Sequence, residues 1–506
     1  MTADSPNSQE DSGKPVSSYG QILRSTAFTG GASLISLAFS VVRTKVVALA
    51  LGPAGVGILG TFTTLIGLSV TIFGLGIGGS GVRRIASAES EESPEKLAQS
   101  VWTIRRFSLL LGAAGAIALA CASPFVSKLT FGSAEHAPAI ALLSFAVLFG
   151  IASEGHTSII QGARRIRDLS KLTIISAAVS TLLGVPLVYW FGLDGVVPML
   201  ILVPAFTFFL ARKFAKQVGG SDGALPRKEF TREARSLLHL GSVFMASAIM
   251  TAAVAYLVRM LIIRSLGIEA AGYYSAAFAI SGIYSSFILQ AMGADFFPRL
   301  TSFAADPAAV NRLVNEQTEV ALLLATPGLL ATLVFSPWVI SIFYSGEFDA
   351  AGEILRWQVI GLLFKIISWP MAFIQLARGR NISFLVTEVI ANLSHFTFVF
   401  IGIKVAGLPG TGIGFTAMYG LYTVMIFGVA AMDTRFRWNG SSLKILAWAV
   451  LAVLVVFVSN FFLSGPIYLV AGALLTCFVG VFCLRGLLHR TPAEFLRKIP
   501  FLARRL

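Results

Sequence analysis

The sequence predicts an all-α polytopic membrane protein made of two related six-helix lobes and an appended helix pair. Three observations predict this fold. The chain is 56% hydrophobic and only 13% charged, whereas soluble domains carry about 25% charged residues. Fourteen apolar runs are each long enough to cross a bilayer as a helix. A segment of the first half also returns in the second half of the chain.

The apolar runs locate the predicted transmembrane helices, which we call spans 1 to 14. Each is close to the roughly 20 residues that cross the hydrocarbon core as a helix. Helices are expected because a spanning backbone must satisfy its own hydrogen bonds. The predicted spans are 24–49, 55–82, 107–123, 139–161, 172–191, 193–211, 240–264, 270–297, 318–344, 352–377, 382–403, 409–430, 443–463 and 466–487.

The repeat relates spans 1–6 to spans 7–12. LGPAGVG at 51–57 returns as LGIEAAG at 266–272, and QGARRIR at 161–167 answers QLARGRN at 375–381. The offset between the copies stays between 213 and 215 residues. Because six is even, both copies have the same orientation in the membrane, which predicts a parallel repeat. Membrane proteins of this construction are most often transporters with a site between the copies.

The repeat and the local composition divide the chain into six segments. The linker between the copies is polar, basic and contains glycine, as suits a connector between rigid bundles. Spans 13 and 14 have no counterpart in the repeat. The predicted segments are a polar cytoplasmic tail 1–21, an N-lobe 22–211, a cytoplasmic linker 212–239, a C-lobe 240–430, spans 13–14 at 443–487 and a basic cytoplasmic tail 488–506.

Lysine and arginine concentrate in the loops that follow even-numbered spans. The loops after odd-numbered spans contain few of them and carry acidic residues instead, such as Glu135, Asp194 and Glu347. By the positive-inside rule, both termini are therefore predicted to be cytoplasmic. The net charge of +14 is explained by this topology, so nucleic acid is not an expected partner.

The chain contains no motif that predicts enzymatic chemistry. There is no phosphate-binding glycine loop, zinc-ligand spacing or nucleophile elbow. The longest loop after an odd-numbered span, near 124–138, is too small for an extramembrane active site. Cys121, Cys477 and Cys483 lie in apolar runs and are interpreted as packing residues. The sequence thus predicts neither an enzyme, a metal site nor a cofactor, and a scaffold is disfavoured by polar residues in both lobes.

Four basic residues inside spans are candidate ligands for an anionic substrate group. Arg43 and Lys45 lie in span 1, Arg259 at nearly the same depth in span 7, and Lys365 near the middle of span 10. Charges at such depth usually face a bundle interior or a wet cavity. They suit a phosphate or pyrophosphate. The alternative is that these side chains snorkel to the interface.

Three acidic residues inside spans are candidates for cation coupling. Glu154 lies in span 4, Asp295 in span 8 and Glu388 in span 11. Each could take up a proton or sodium ion, and each could equally pair with a basic neighbour. The glycine-rich stretch 74–81 of span 2 is a candidate bending point for conformational change.

Three segments resemble the Wzx-type O-antigen translocases, polysaccharide flippases of the MOP superfamily that also holds MATE exporters and lipid II flippases. They are LGPAGVGILGTF at 51–62, ILRWQVIGLLFKIIS at 354–368 and FLVTEVIANLSHF at 384–396. Lys45, Lys365 and Glu388 fall where this branch carries like residues. The match is loose around Arg259, while Glu154 and Asp295 depart from the pattern.

The resemblance implies a flippase for undecaprenyl-pyrophosphate-linked O-antigen units in the bacterial inner membrane. It implies alternating access driven by a proton or sodium gradient, with a polysaccharide polymerase and chain-length machinery as partners. We expect a central cavity lined by spans 1, 2, 7 and 8, in which Arg43, Lys45, Arg259 and Lys365 hold the pyrophosphate. Spans 13–14 favour a lipid II flippase as the alternative, and a MATE-type drug exporter is a second one.

Overall fold

The computed structural model describes residues 18–91, 93–219, 226–239, 242–293, 296–463 and 465–490. Within these ranges every element of regular secondary structure is a helix, which confirms the predicted all-α fold class. Most of both predicted tails and Asp295 lie outside the described residues.

The α-helices are numbered here in chain order. Short 3₁₀ turns follow α5, α6 and α12. The bounds are α1 Ser18–Gly74, α2 Ile77–Ser90, α3 Pro94–Phe131, α4 Ala137–Gly162, α5 Ile166–Phe191, α6 Val196–Ala215, α7 Arg227–His239, α8 Ser242–Leu266, α9 Ile268–Gly293, α10 Phe296–Ser302, α11 Pro307–Val334, α12 Ser336–Phe343, α13 Ala350–Ala377, α14 Asn381–Ala406, α15 Gly410–Thr434, α16 Gly440–Phe462 and α17 Gly465–Arg490.

The described helices account for the predicted spans. Eleven helical segments are long and apolar enough to cross a membrane. Two of these, Gly30–Gly74 and Ile166–Val218, each contain two predicted spans, joined at Gly52 or through the 3₁₀ turn Gly192–Gly195. α9 adds a helix of 26 residues at span 8. The protein is therefore a multi-pass membrane protein.

Span 2 is interrupted where the sequence predicts a bending point. The chain takes positive φ at Leu75 (48°) and Gly76 (69°), so α1 ends at Gly74 and α2 begins at Ile77. A non-glycine residue at positive φ is uncommon and persists only where the surrounding structure holds it. The stretch 74–81 thus contains a break between two helices rather than a continuous span.

Glycines in turns at repeat-related positions all have positive φ. Gly52 and Gly267 have φ of 63° and 92°, and Gly192 and Gly407 have φ of 56° and 63°. These values lie in the left-handed half of φ space, where glycine has no steric penalty. α5 and α14 also have equal lengths of 26 residues. The repeat read from the sequence is therefore also a repeat of backbone geometry.

Matching caps start α3 and α11, the helices at the third span of each copy. The side chain of Ser93 accepts a hydrogen bond from the Lys96 N–H at 3.4 Å, and Asp306 accepts one from the Ala308 N–H at 2.9 Å. Proline follows each cap, where its missing N–H costs no helical hydrogen bond. Both α3 and α11 therefore begin at a position that the sequence specifies locally.

The hydrophobic core consists largely of one cluster of buried residues in each lobe. The first lies mainly in α1–α6 and extends to Tyr256 of α8. The second lies mainly in α8–α17 and extends to Ala48 and Val56 of α1. α7 packs against α2 and α3 and is tied to the first lobe by an ion pair between Arg84 and Glu233 at 2.7 Å. The two-lobe architecture is thereby confirmed, while the segment boundaries remain predictions.

The appended pair α16–α17 is attached to the second lobe by buried polar contacts on α11. The Glu319 carboxylate accepts hydrogen bonds from Ser442 of α16 at 2.7 Å and from Arg490 of α17 at 2.9 Å. One turn earlier, the Asn315 side chain accepts the backbone N–H of Asn439 at 2.9 Å. A buried carboxylate is costly unless it is paired, so these contacts fix both helices on one side of α11.

The lobes meet near the ends that carry few lysines and arginines, which we call the Arg/Lys-poor face. Gly57 lies against the carbonyl of Ile268, and Gly272 lies against the carbonyl of Pro53. The two glycines, and the two carbonyl residues, are each separated by 215 positions. A side chain at either glycine would clash with backbone, so this reciprocal contact, called here the glycine seam, depends on glycine in both copies.

Candidate functional site

A cavity of about 420 Å³ lies between the two lobes, next to the glycine seam. Its walls come from both halves of α1 and from α8 and α9, which contain the predicted lining spans 1, 2, 7 and 8. α5 and α6 add walls that the sequence did not predict. The polar side chains of the lining are Arg43, Thr44, Thr63, Thr64, Ser180, Arg259, Ser275 and Tyr344.

Arg259 enters this cavity from α8. Its Nη1 donates to Ser275 Oγ at 2.5 Å, and its guanidinium lies 5.6 Å from the ring centroid of Tyr274. A Cβ at Gly60 would lie 2.7 Å from the same Nη1, so the absence of a side chain on α1 leaves room for the arginine. The space left by Gly60 and the contacts with Tyr274 and Ser275 of α9 therefore hold the guanidinium in the cavity.

Arg43 enters the same cavity from α1, in the other lobe. Its guanidinium donates a hydrogen bond to Ser180 Oγ of α5. The next residue, Thr44, is the repeat counterpart of Arg259 and also lines the cavity. The predicted arginines thus come from equivalent depths of two related helices and face one space.

The two guanidiniums give the cavity a positive potential. Neither forms an ion pair with a carboxylate in the described part of the chain. Each has a hydroxyl partner that leaves most of its five N–H donors available. Unpaired charges at membrane depth are costly and mark substrate or ion sites. Phosphate and pyrophosphate groups match guanidinium donors in charge and geometry.

Lys45 lies outside the lining of this cavity. Its ammonium donates to the backbone carbonyl of Ser341 in α12 at 2.5 Å. The contact joins the first lobe to the second near the Arg/Lys-poor face. The structure therefore places Lys45 at the contact between the lobes. It lies one residue beyond Thr44 and away from Arg43 and Arg259.

Lys365 lies inside the second lobe. Its Nζ is 3.4 Å from Ser285 Oγ of α9 and 5.5 Å from the ring centroid of Tyr419 in α15. Neither it nor these two neighbours lines the central cavity. Of the four predicted pyrophosphate ligands, the structure brings Arg43 and Arg259 together and leaves Lys45 and Lys365 apart.

Glu388 lies where α8, α14 and α15 meet. Its carboxylate accepts hydrogen bonds from Ser247 Oγ at 3.1 Å and from Tyr422 Oη at 3.2 Å. One turn along α14, the Asn392 amide faces Thr251 Oγ1 at 3.5 Å. In the described part of the chain this carboxylate is hydrogen-bonded to hydroxyls rather than to basic side chains, an arrangement that suits a proton or a small cation.

Glu154 lies at the break between α1 and α2. Its carboxylate oxygens face Gly74 and Gly78, which flank the positive-φ residues Leu75 and Gly76. A carboxylate near the first turn of α2 is favourable because helix N-termini carry partial positive charge. The third predicted acid, Asp295, lies outside the described residues.

Sequence reasoning missed the hydroxyl partners of the two arginines. Ser180 and Ser275 sit in apolar runs where a serine carries little information by itself. The repeat could have pointed to Ser275, because it aligns this serine with Gly60 of the first copy. Both residues line the cavity. No comparable signal points to Ser180, because α5 and α6 carry no charge in the cavity.

A protein-family model described as "Polysaccharide biosynthesis protein" matches residues 46–353, more than half of the chain. The chain belongs to this family of polysaccharide biosynthesis proteins. It is also similar to the lipid III flippases of Escherichia coli (strain K12) and Shigella flexneri. Each is 22% identical over 424 residues, covering 82% of this chain and 99% of the relative.

Solved structures share the fold of this family member. A lipid II flippase, MurJ, in an inward closed conformation matches with a TM-score of 0.68 and 14% identity, covering 92% of this chain and 99% of that one. An inward-facing multidrug resistance MATE transporter of the MOP superfamily matches with a TM-score of 0.63 and 15% identity, covering 79% and 98%. The chain therefore shares the fold of these solved structures, as the sequence resemblance implied.

Proposed function

We propose that this protein is a flippase that moves undecaprenyl-pyrophosphate-linked oligosaccharides, such as O-antigen units, across the bacterial inner membrane. The observation that carries the proposal is the joint placement of Arg43 and Arg259 in one cavity between the lobes, without a carboxylate partner among the described residues. Membership of the polysaccharide biosynthesis family and similarity to the lipid III flippases support it.

In this proposal the two arginines bind the pyrophosphate, and the lipid tail stays in the bilayer. Lys45 and Lys365 serve as further cationic contacts in other conformations of the transport cycle. The lobes then rock about their contact, exposing the cavity to each side in turn. The glycine seam closes the Arg/Lys-poor face in the present conformation, and it must separate for release on that side.

A proton or sodium gradient drives the cycle, and Glu388 takes up the coupling ion. The two hydroxyl donors on its carboxylate support this assignment, because they hold the oxygens in place without neutralising the charge. Glu154 and Asp295 are the other proposed coupling residues. The Arg/Lys-rich ends face the cytoplasm together with both termini, and a polysaccharide polymerase with its chain-length machinery receives the product.

The second candidate is a lipid II flippase. Two observations favour it: the appended pair α16–α17, and the match of 92% of this chain to the lipid II flippase structure. A MATE-type drug exporter is less favoured, because two arginines without a carboxylate partner among the described residues attract anions rather than cationic drugs.

The test is deletion of the gene followed by mass spectrometry of the lipid-linked oligosaccharides that accumulate in the cell. The proposal predicts accumulation of one undecaprenyl-pyrophosphate glycan, restored to its normal level by the wild-type gene but not by the Arg43→Gln, Arg259→Gln double variant. Cells depleted of lipid II flippase provide the separating control. Rescue of those cells, with no other glycan accumulating in the deletion strain, would contradict the O-antigen assignment.

A further inference from the structure

A second cavity, of about 400 Å³, lies inside the first lobe among α1, α4, α5 and α6. We call it the hydroxyl cavity. It extends from Arg43 toward the Arg/Lys-rich end of α5, and its volume falls in the range of small-molecule sites. The hydroxyl side chains of its lining include Ser36, Ser40, Thr157, Thr173, Ser176 and Ser180.

The hydroxyl cavity adjoins the central cavity. Arg43 and Ser180, which are hydrogen-bonded to each other, belong to the lining of both. Among the described residues, Arg43 is also the one ionisable side chain in the lining of the hydroxyl cavity. A ligand group in the hydroxyl cavity would therefore sit next to an anion held by Arg43 and would itself be neutral.

The lining offers hydrogen-bonding groups that are not all used by the protein. Ser176 Oγ is buried and has no partner among the described residues. Thr173 donates to the Leu169 carbonyl at 3.0 Å, which leaves its oxygen lone pairs free to accept. Leu172 and Ala177 add apolar surface between the hydroxyls. The surface of the cavity is thus mainly apolar with hydroxyls set into it, which suits a sugar ring, because a sugar carries C–H groups and hydroxyls on one skeleton.

The equivalent place in the second lobe is occupied by larger and charged side chains. α5 and α14 start 215 residues apart, at Ile166 and Asn381, so their positions can be compared directly. The equivalent pairs are Ser36 and Thr251, Thr173 and Glu388, Ser180 and His395, and Thr207 and Tyr422. In the second lobe the carboxylate and the tyrosine fill the space with their own hydrogen bond. The first lobe has neutral, smaller residues at these positions and an open cavity.

We infer that the hydroxyl cavity binds the sugar that is directly attached to the pyrophosphate. This inference rests on the proposed function, because Arg43 must hold the pyrophosphate beside it. A cation site is disfavoured, since the described part of the lining contains no carboxylate and its one charged side chain is the positive Arg43. A lipid tail is disfavoured because Ser176 Oγ, which has no partner among the described residues, would stay unsatisfied against hydrocarbon.

The experiment compares two ligands on the purified full-length protein. The probes are undecaprenyl pyrophosphate and the same lipid carrying one N-acetylhexosamine, and their affinities are measured by microscale thermophoresis in detergent. Three lining hydroxyls are removed with little change of shape, in the variants Ser40→Ala, Thr173→Val and Ser176→Ala and their combination. Each single variant should lower affinity for the sugar-bearing lipid by roughly twofold to tenfold, as expected for one lost hydrogen bond. Affinity for the bare lipid should stay unchanged.

Two control variants remove membrane hydroxyls elsewhere. Ser459→Ala and Thr476→Val delete side chains that donate to their own helices, α16 and α17, and should change neither affinity. Arg43→Gln should weaken both lipids, and unchanged binding of both would refute the pyrophosphate site itself. If Arg43→Gln weakens both lipids but the combined hydroxyl variant weakens neither, or both equally, the sugar inference is wrong and the proposed function stands. Melting temperatures exclude unfolding as the cause.

Discussion

The two lobes repeat one backbone but carry different chemistry at equivalent positions. Where the first lobe has Thr173 and Thr207 beside an open cavity, the second lobe has Glu388 hydrogen-bonded to Tyr422. The neutral side suits a polyhydroxyl ligand, and the carboxylate side suits a proton or cation. In the proposed transporter, this part of the first lobe therefore contacts the sugar, while Glu388 at the equivalent place in the second lobe takes up the coupling ion.

The glycine seam shows the opposite behaviour, because there the two copies are the same. Gly57 and Gly272 each fit against a carbonyl of the other lobe. Both positions are glycine because each contact is possible only where the residue has no side chain. The shared glycines Gly57 and Gly272 thus build the contact between the lobes, whereas Arg43, Arg259 and Glu388 lie at positions where the copies differ.

The largest effect is expected where both lobes contribute to one site. Replacing Arg43 and Arg259 by glutamine together should reduce transport of the lipid-linked glycan by at least a hundredfold. The physical reason is the loss of two charge-assisted interactions, worth about 1.5–3 kcal/mol each. The measurement is surface-glycan level in cells that express each single variant and the double variant at wild-type amounts.

Arg356→Gln is the matched control, because this arginine bonds to Ser336 at 2.8 Å in the second lobe, outside the central cavity. It should retain normal transport. Equal losses for Arg356→Gln and Arg259→Gln would mean that any lost membrane arginine damages the protein, and the two-lobe site would lose its support.

The next effect concerns the second lobe alone. Glu388→Gln should lower gradient-driven transport by more than tenfold while leaving substrate affinity unchanged, because the amide cannot take up a proton or bind sodium as a carboxylate does. Reconstituted transport under a proton gradient and under a sodium gradient, measured separately, identifies the ion. Thr387→Val, which removes a hydroxyl that donates to the Phe384 carbonyl, is the control. Unaltered gradient dependence in Glu388→Gln would exclude Glu388 as the coupling residue.

A smaller effect is expected at the glycine seam. Gly57→Ala or Gly272→Ala should destabilise the closed conformation by about 1–3 kcal/mol, as overpacking typically does. The readout is labelling of a single cysteine at Thr63, in the central cavity, by an impermeant maleimide added from the Arg/Lys-poor side, after replacement of the natural cysteines. Labelling should become faster.

The matched control pair is Gly67 and Gly282, which have the same offset of 215 residues and open space within 4 Å of the position that a Cβ would occupy. Alanine there should leave labelling unchanged, and helix propensity should even favour it by up to about 1 kcal/mol. Faster labelling in the control pair as well would show that the seam has no special part in closure.

The smallest effect should appear outside the two-lobe comparison, in the appended pair. Glu319→Gln should lower the stability of the purified protein by about 1–2 kcal/mol, because it weakens hydrogen bonds to Ser442 and Arg490. The arginine side chain is 36% exposed, so solvent screens part of the charge. Glu316→Gln, one turn earlier and 57% exposed, should change the melting temperature little. Equal shifts would contradict the bridging role of Glu319.

Much of the fold was predictable because hydrophobic length and repeated glycines are local properties of the sequence. The spans, the break near Gly76 and the two lobes all follow from such signals. Helix ends were less predictable. α3 extends from Pro94 to Phe131, well beyond the predicted 107–123. A helix continues past its apolar region until capping residues end it, here Ser93 and Gly132.

The candidate site was predictable only in part. Arg43 and Arg259 stood out because charge at membrane depth is expensive, and equal depth in related helices brought them together. The same reasoning selected Lys45 and Lys365, but depth alone does not specify which face of a helix a side chain occupies. Lys45 instead bonds the Ser341 carbonyl, and Lys365 lies against Tyr419. The hydroxyl cavity gave no advance signal, since serine and threonine are common in transmembrane helices.

The central claim is that one arginine from each lobe binds the same pyrophosphate, and a binding measurement tests it most directly. Affinity for undecaprenyl pyrophosphate is measured on the purified wild type, Arg43→Gln, Arg259→Gln and the double variant. The account predicts a loss of about tenfold to a hundredfold for each single variant, with a double-variant loss that departs from the product of the two because both groups contact one ligand. Wild-type affinity in the double variant would contradict it.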